Sequence, residues 1–131
     1  MSQPKYLGQQ SNVPTTVLDV IPWPSDVALA VTLDASEFTS LCPVTAQPDF
    51  GRVVISYVPR ASLVETKSLK LYLWTFRERA AFVEHAVAEV ARVFFDQVKP
   101  RTVTVSGHFH SRGGIEVRPV VTITEPMKAT T

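Results

Sequence analysis

Cys42 is the only cysteine among 131 residues, and a carboxylate, Asp49, follows it seven positions later. Both lie in the stretch Glu37-Phe38-Thr39-Ser40-Leu41-Cys42-Pro43-Val44-Thr45-Ala46-Gln47-Pro48-Asp49-Phe50-Gly51. A thiol and an acid on one short segment suit nucleophilic attack followed by proton transfer. Pro43 and Pro48 stiffen the segment, because each proline fixes φ and removes an N–H. A rigid loop carrying both groups is expected. Each residue also has a plainer use: a lone cysteine is commonly a small buried hydrophobe, and an aspartate after a proline commonly shapes a turn.

Three further groups bear on chemistry. Lys67 and Lys70 are three apart and would share a helix face, where they can meet phosphates near a helix N-terminus or simply stay solvated. No G-x-G-x-x-G follows a strand, so any dinucleotide site is not of the Rossmann kind. Arg112, beside Gly113 and Gly114, is a weaker phosphate candidate. His108 and His110 alternate onto one strand face, as metal ligands or as ordinary polar residues; with a single cysteine and no evident third ligand, no metal is expected.

The elements that must position these residues follow from periodicity. Residues 1–26 carry Pro4, Pro14, Pro22 and Pro24 and read as an extended arm, with Val17, Leu18, Val20, Ile21 and Trp23 packing on the domain or on a neighbour. Residues 27–131 form the remaining domain. Val27–Leu33 and Arg52–Pro59 are the first two strands, flanking the Cys42 loop. A helix is expected from about Lys67, with Thr66 as its cap, and Arg77-Glu78-Arg79 breaks it. Ala80–Val98 is the strongest helix, since Phe82, Ala86, Val90 and Phe94 recur every four residues. Thr102–His110 alternates as a strand, Ser111–Gly114 turns, and Ile115–Thr124 returns, with Pro119 at an edge or bulge. The fold class is α+β: an antiparallel four-stranded sheet with two helices inserted between strands 2 and 3. Open sheet edges call for a covering partner, so an oligomer is expected.

Composition sets the outer bounds. Apolar content of 45% and charged content of 19% describe an ordinary globular domain. A net charge of +1 makes no electrostatic case for nucleic acid or membrane. No apolar run approaches the roughly 20 residues that span a bilayer. The opening residues lack a signal-peptide core, and one cysteine forms no internal disulfide, so the cytoplasm is the expected compartment.

Phe38-Thr39-Ser40-Leu41-Cys42-Pro43, Gln47-Pro48-Asp49-Phe50, Glu65-Thr66-Lys67-Ser68-Leu69-Lys70-Leu71-Tyr72 and Arg112-Gly113-Gly114-Ile115 together resemble the QueF nitrile reductases, in the short single-domain class. The resemblance runs from about Val27 to the last strand. It implies reduction of 7-cyano-7-deazaguanine to 7-aminomethyl-7-deazaguanine with NADPH in queuosine biosynthesis. It implies the tunnelling fold, closed into a barrel by two facing pentamers with active sites between subunits. It gives Cys42 the nucleophile position and Asp49 that of the proton donor. Val64, Glu65, Thr66, Val83 and Glu84 match substrate-binding positions, with Glu84 accepting a bidentate pair of hydrogen bonds from a deazaguanine edge. Lys67, Lys70 and Arg112 match cofactor-binding positions. The family usually has His before the binding glutamate, where this chain has Val83, and Val83→His is expected to raise turnover or affinity. Two other readings stand beside the reductase: a QueF-like amidinotransferase, and a catalytically weakened deazapurine-binding protein.

Overall fold

The apolar stripe of the long helix decides the architecture. Ala86, Val87, Val90, Ala91, Phe94 and Val98 are all buried, and they pack on Val53, Ile55, Tyr57, Val103 and Val105 of two central strands. In the computed structural model, which describes residues 14–126, the elements run β1 (Val20–Pro22), β2 (Val31–Leu41), β3 (Pro48–Val58), β4 (Ser62–Val64), α1 (Thr66–Trp74), a 3-10 turn (Thr75–Glu78), α2 (Val83–Val98), β5 (Thr102–Phe109) and β6 (Val120–Thr124). The main sheet is antiparallel in the order β2-β3-β5-β6, and β1 pairs antiparallel with β4 in a small second sheet. The fold is α+β with two helices and antiparallel sheets.

Aromatic contacts join the layers. Tyr57 meets Phe94 edge to face at 4.8 Å, and Phe38 meets Phe76 at 5.3 Å. Helix and sheet approach closely at Gly107, where a Cβ would lie 2.9 Å from the Val87 side chain and 2.5 Å from the Phe109 ring. The other sheet face carries hydroxyl pairs: Thr32–Ser56, Thr104–Thr122 and Thr102–Thr124. This is the Thr and Ser alternation expected from the sequence.

Several boundaries differ from the sequence reading. The expected loop is mostly strand: β2 runs to Leu41 and β3 starts at Pro48, leaving only Cys42–Gln47 as the connection. Phe38 and Ser40 are buried while their neighbours are less so, which is a half-buried strand pattern masked by polar residues on the open face. A bulge adds to the masking, because Ser36 and Glu37 together oppose Arg52 between the pairs Ala35–Val53 and Phe38–Gly51. The strand expected at Val27 starts at Val31.

Glu65, not Thr66, caps α1, its carboxylate accepting from the Lys67 and Ser68 N–H groups at 2.8 Å each. α2 starts at Val83 rather than Ala80. The preceding backbone is already engaged: Leu41 N–H donates to the Arg79 carbonyl, and Ala81 N–H donates to the Leu41 carbonyl. The last strand starts at Val120, because Pro119 cannot donate to the ladder. Gly113 and Gly114 take φ of 58° and 79° in the turn closed by Arg112 and Ile115, as the glycines suggested.

β1 and β4 were not anticipated. Each has three residues, too few to show a period. They tie part of the expected arm to α1: Asp19 N–H donates to Ser68 Oγ, and Glu65 N–H donates to the Asp19 carbonyl. Leu18 is buried in the core. The rest of the arm, residues 1–13, lies outside the described residues.

Candidate active site

The β2–β3 hairpin brings the thiol and the carboxylate together. Its register sets Ser40 opposite Asp49 and Leu41 opposite Pro48. Cys42 N–H then donates to the Gln47 carbonyl, and Ala46 N–H to the Cys42 carbonyl, each at 2.9 Å. Ala46 takes a φ of 58°, in the left-handed region, to close this turn.

The turn shapes the acidity of Cys42. The thiol is lowered from 9.0 to about 7, first by the Thr45 hydroxyl, then by the Thr45 and Val44 backbone, and least by Arg112. Hydrogen bonds to a sulfur anion favour its charged form. A thiol at about 7 is roughly half ionised at neutral pH, and the thiolate is the nucleophile.

Arg112 reaches the same place from the β5–β6 turn. Its Nη2 pairs with Asp49 Oδ1 at 2.5 Å and donates to the Pro48 carbonyl at 3.1 Å. Arg112 thus holds the acid directly and adds the smallest of the contributions that lower the Cys42 thiol. The Asp49 side chain is only 13% exposed, so the pair is partly shielded from solvent. The sequence groups Arg112 with the lysines; the structure pairs it with Asp49 and the Pro48 carbonyl.

The remaining candidates form two further groups. The start of α2 lies alongside the end of β2 through the parallel bridge between Leu41 and Ala80. Glu84 is exposed in the first turn of α2. Phe82, about half exposed, packs its ring against His85. Val83 points into the core and is 9% exposed, so this chain offers no side chain to solvent there.

At the start of α1, Val64 and Glu65 are buried, and Val64 N–H donates to the Tyr57 hydroxyl. Thr66 and Lys70 are exposed and Lys67 is half-buried. Thr66, Lys70, Trp74 and Arg77 line a groove of about 700 Å³ against β2. Cys42 and Asp49 do not line it. The groove also carries Asp34 and Glu37, so its two cations are balanced by two carboxylates around the Trp74 indole.

A clasp holds the link between these groups. Arg79 makes a bidentate pair with Glu89, at 3.2 and 2.5 Å, and covers the Phe76 ring at 4.0 Å. The Tyr72 hydroxyl donates to the same Glu89. Burial first, then the Glu89 charge, raise the Tyr72 hydroxyl well above its ordinary range. His108 and His110 are exposed, and among the described residues no three His, Cys, Asp or Glu side chains gather as a metal site would require. Sequence reading missed Thr45 and Ser40. Thr45 had only its place three residues after Cys42 to mark it; Ser40 had only its alternation with Phe38 and Cys42.

Fold and site define a class: an antiparallel α+β protein with a thiol and an arginine-paired carboxylate on one hairpin. Comparison with known proteins agrees. Residues 48–128 match the family model described as QueF-like protein. The chain is 43% identical over 130 residues to an NADPH-dependent 7-cyano-7-deazaguanine reductase of Methylorubrum extorquens, covering 95% of this chain and 85% of that one. It is 42% identical over 106 residues to a Helicobacter pylori protein of the same name, covering 80% and 73%. An archaeosine synthase QueF-Like crystal structure superposes with a TM-score of 0.65 at 21% identity, over 75% of this chain and 94% of that one, a likeness of fold. The chain belongs to the QueF family. Among the described residues, no helix is long and apolar enough to cross a membrane.

Proposed function

We propose that this chain is an NADPH-dependent reductase that converts the nitrile of 7-cyano-7-deazaguanine to an aminomethyl group, in the route to queuosine in tRNA. The observation that carries this reading is the β2–β3 hairpin, whose register brings Cys42 beside Asp49, with Arg112 paired to that acid and the thiol lowered to about 7. The curated relatives bear the name of that reaction.

A nitrile carbon is a poor hydride acceptor. Cys42 attacks it as thiolate, so that an S–C bond forms, one C–N π bond breaks, and the nitrogen takes up a proton. The product is a thioimide, which accepts hydride more readily. Asp49 passes the thiol's proton to that nitrogen as a general acid. NADPH, held by Lys67 and Lys70, would supply one hydride to the carbon in each of two rounds. After the first, the C–S bond breaks, Cys42 leaves as thiolate, and an imine remains for the second. Two hydrides and two protons are consumed, and the thiol is regenerated.

Glu84 orients the base by accepting from its ring N–H and exocyclic amine together. Backbone groups at Val64, Glu65 and Thr66 frame the same ligand, since the Glu65 carboxylate is held by the α1 cap. Lys67 and Lys70 meet the dinucleotide phosphates. Since the groove of α1 and the hairpin of Cys42 are separate in one chain, the site is completed by a neighbouring copy. The outer edges of β2 and β6 then join across subunits into the barrel of a tunnelling fold, in two facing pentamers. The cytoplasm, where thiols stay reduced, is the compartment.

The test is intact-mass measurement with substrate alone, followed by NADPH absorbance. Wild type is expected to gain one substrate mass and then to consume NADPH, and Cys42→Ala to do neither. An adduct without NADPH consumption would favour the amidinotransferase or a weakened binding protein. No adduct on wild type would overturn the reading.

A further inference from the structure

Ser40 has no part in the chemistry above, yet its hydroxyl is the unusual group of the site. It is wholly enclosed, at 0% exposure, and among the described residues its Oγ has no hydrogen-bond partner. Buried polar atoms are nearly always paired, so an orphan of this kind calls for a cause. Its place supplies one. Ser40 is the cross-strand partner of Asp49 in β3. Side chains directly opposite in an antiparallel pair stand on one face, with Cβ atoms about 4.5–5.5 Å apart. The Ser40 and Asp49 side chains therefore stand side by side on one face of the hairpin. Cys42 follows two positions later along the same run.

Among the described residues, the strong partner of Asp49 is the Arg112 guanidinium at 2.5 Å. That partner suits only half of the task. A guanidinium carries donors alone and binds an ionised carboxylate far better than a neutral acid. A proton donor must also be held while it carries its proton. A serine hydroxyl both donates and accepts, so it bonds either form. It can donate to the oxygen without the proton and leave the O–H directed at the reacting nitrogen.

We infer that Ser40 is a positioning residue that aligns the protonated carboxyl of Asp49, taking over from Arg112 as the carboxyl changes charge. The inference rests on the functional reading above. In the resting protein the hydroxyl is idle because Arg112 holds the carboxylate. During turnover it gains its missing partner.

The experiment is Ser40→Ala, with Ser40→Thr as the hydroxyl-retaining control. Removing an orphaned hydroxyl leaves folding intact, so the melting temperature of Ser40→Ala should equal or exceed that of wild type. Its kcat should fall about tenfold while KM for the cyano substrate stays within about twofold, the signature of a contact made only in the transition state. The Cys42 adduct should still reach full occupancy with substrate alone. Folded Ser40→Thr should regain most of the lost rate. A kcat for Ser40→Ala within twofold of wild type overturns the inference. So does a rate loss accompanied by a lower melting temperature, which would make the role structural, or a folded Ser40→Thr no faster than Ser40→Ala. If wild type forms no adduct and consumes no NADPH, the functional reading fails; if wild type is active and Ser40→Ala matches it, this inference alone fails.

Discussion

Replacing Thr45 by valine removes the largest single contribution to the low Cys42 pKa and keeps the shape of the turn. The Thr45 hydroxyl heads the groups that lower the thiol from 9.0 to about 7; the backbone of Thr45 and Val44 and the Arg112 side chain remain in the variant. With those still in place, the thiol should rise to about 8 rather than to its full ordinary value. At pH 7 the thiolate fraction then drops from about one half to about one tenth. The rate does not follow that ratio, because a more basic thiolate is a better nucleophile. A Brønsted slope of about 0.4–0.5 returns roughly threefold for such a change. Alkylation by iodoacetamide should therefore be about threefold slower at pH 6 and about twofold slower at pH 7, with the two profiles crossing between pH 7 and 8. Above pH 9 both thiols are ionised, and the variant should react about threefold faster. The assay is the alkylation rate from pH 5.5 to 10, read by intact mass at the single cysteine. A profile for Thr45→Val with its midpoint still at about 7 would refute the assignment of the hydroxyl as the main cause.

Other consequences can be measured as readily. Glu89→Ala leaves the Arg79 guanidinium and the Tyr72 hydroxyl without their acceptor, and should cost about 1–2 kcal/mol in urea unfolding, the low end because the ion pair is well exposed; a loss below about 0.3 kcal/mol would show the clasp to be incidental. Gly51→Ala forces a Cβ to within 2.5 Å of the His108 carbonyl and 2.8 Å of the Phe109 ring. It should lower stability by about 1–3 kcal/mol, and a melting temperature equal to wild type would contradict the close strand packing. Lys70→Ala should raise KM for NADPH about tenfold through loss of a charged phosphate contact while the Cys42 adduct still forms, and an unchanged KM would remove Lys70 from the cofactor site.

Much of the fold was legible because it is periodic. The stripe of α2 repeats every four residues and buries Ala86, Val90 and Phe94, though Phe82 precedes the helix and stays half exposed; β5 alternates through Val103, Val105 and Phe109 with each of them buried. The turn at Gly113 and Gly114 was legible because positive φ is cheap only without a Cβ. The hairpin around Cys42 was not. Its strands carry polar residues on the open face, a bulge breaks the alternation at Ser36 and Glu37, and two prolines imitate a loop. β1 and β4 are too short for any period to appear.

The site divides in the same way. Residue types alone singled out Cys42 and Asp49, because a thiol and a carboxylate carry their chemistry wherever they stand. Types alone could not say that Glu65 spends its carboxylate capping α1, that Val83 turns into the core, or that Arg112 crosses from the far turn to Asp49. Nor could they find Thr45 against the sulfur or Ser40 enclosed opposite the acid. Chemical identity is a property of a residue and is written in the chain. Acidity, pairing and burial belong to neighbours brought together across the sheet, and only the tertiary structure decides which neighbours those are.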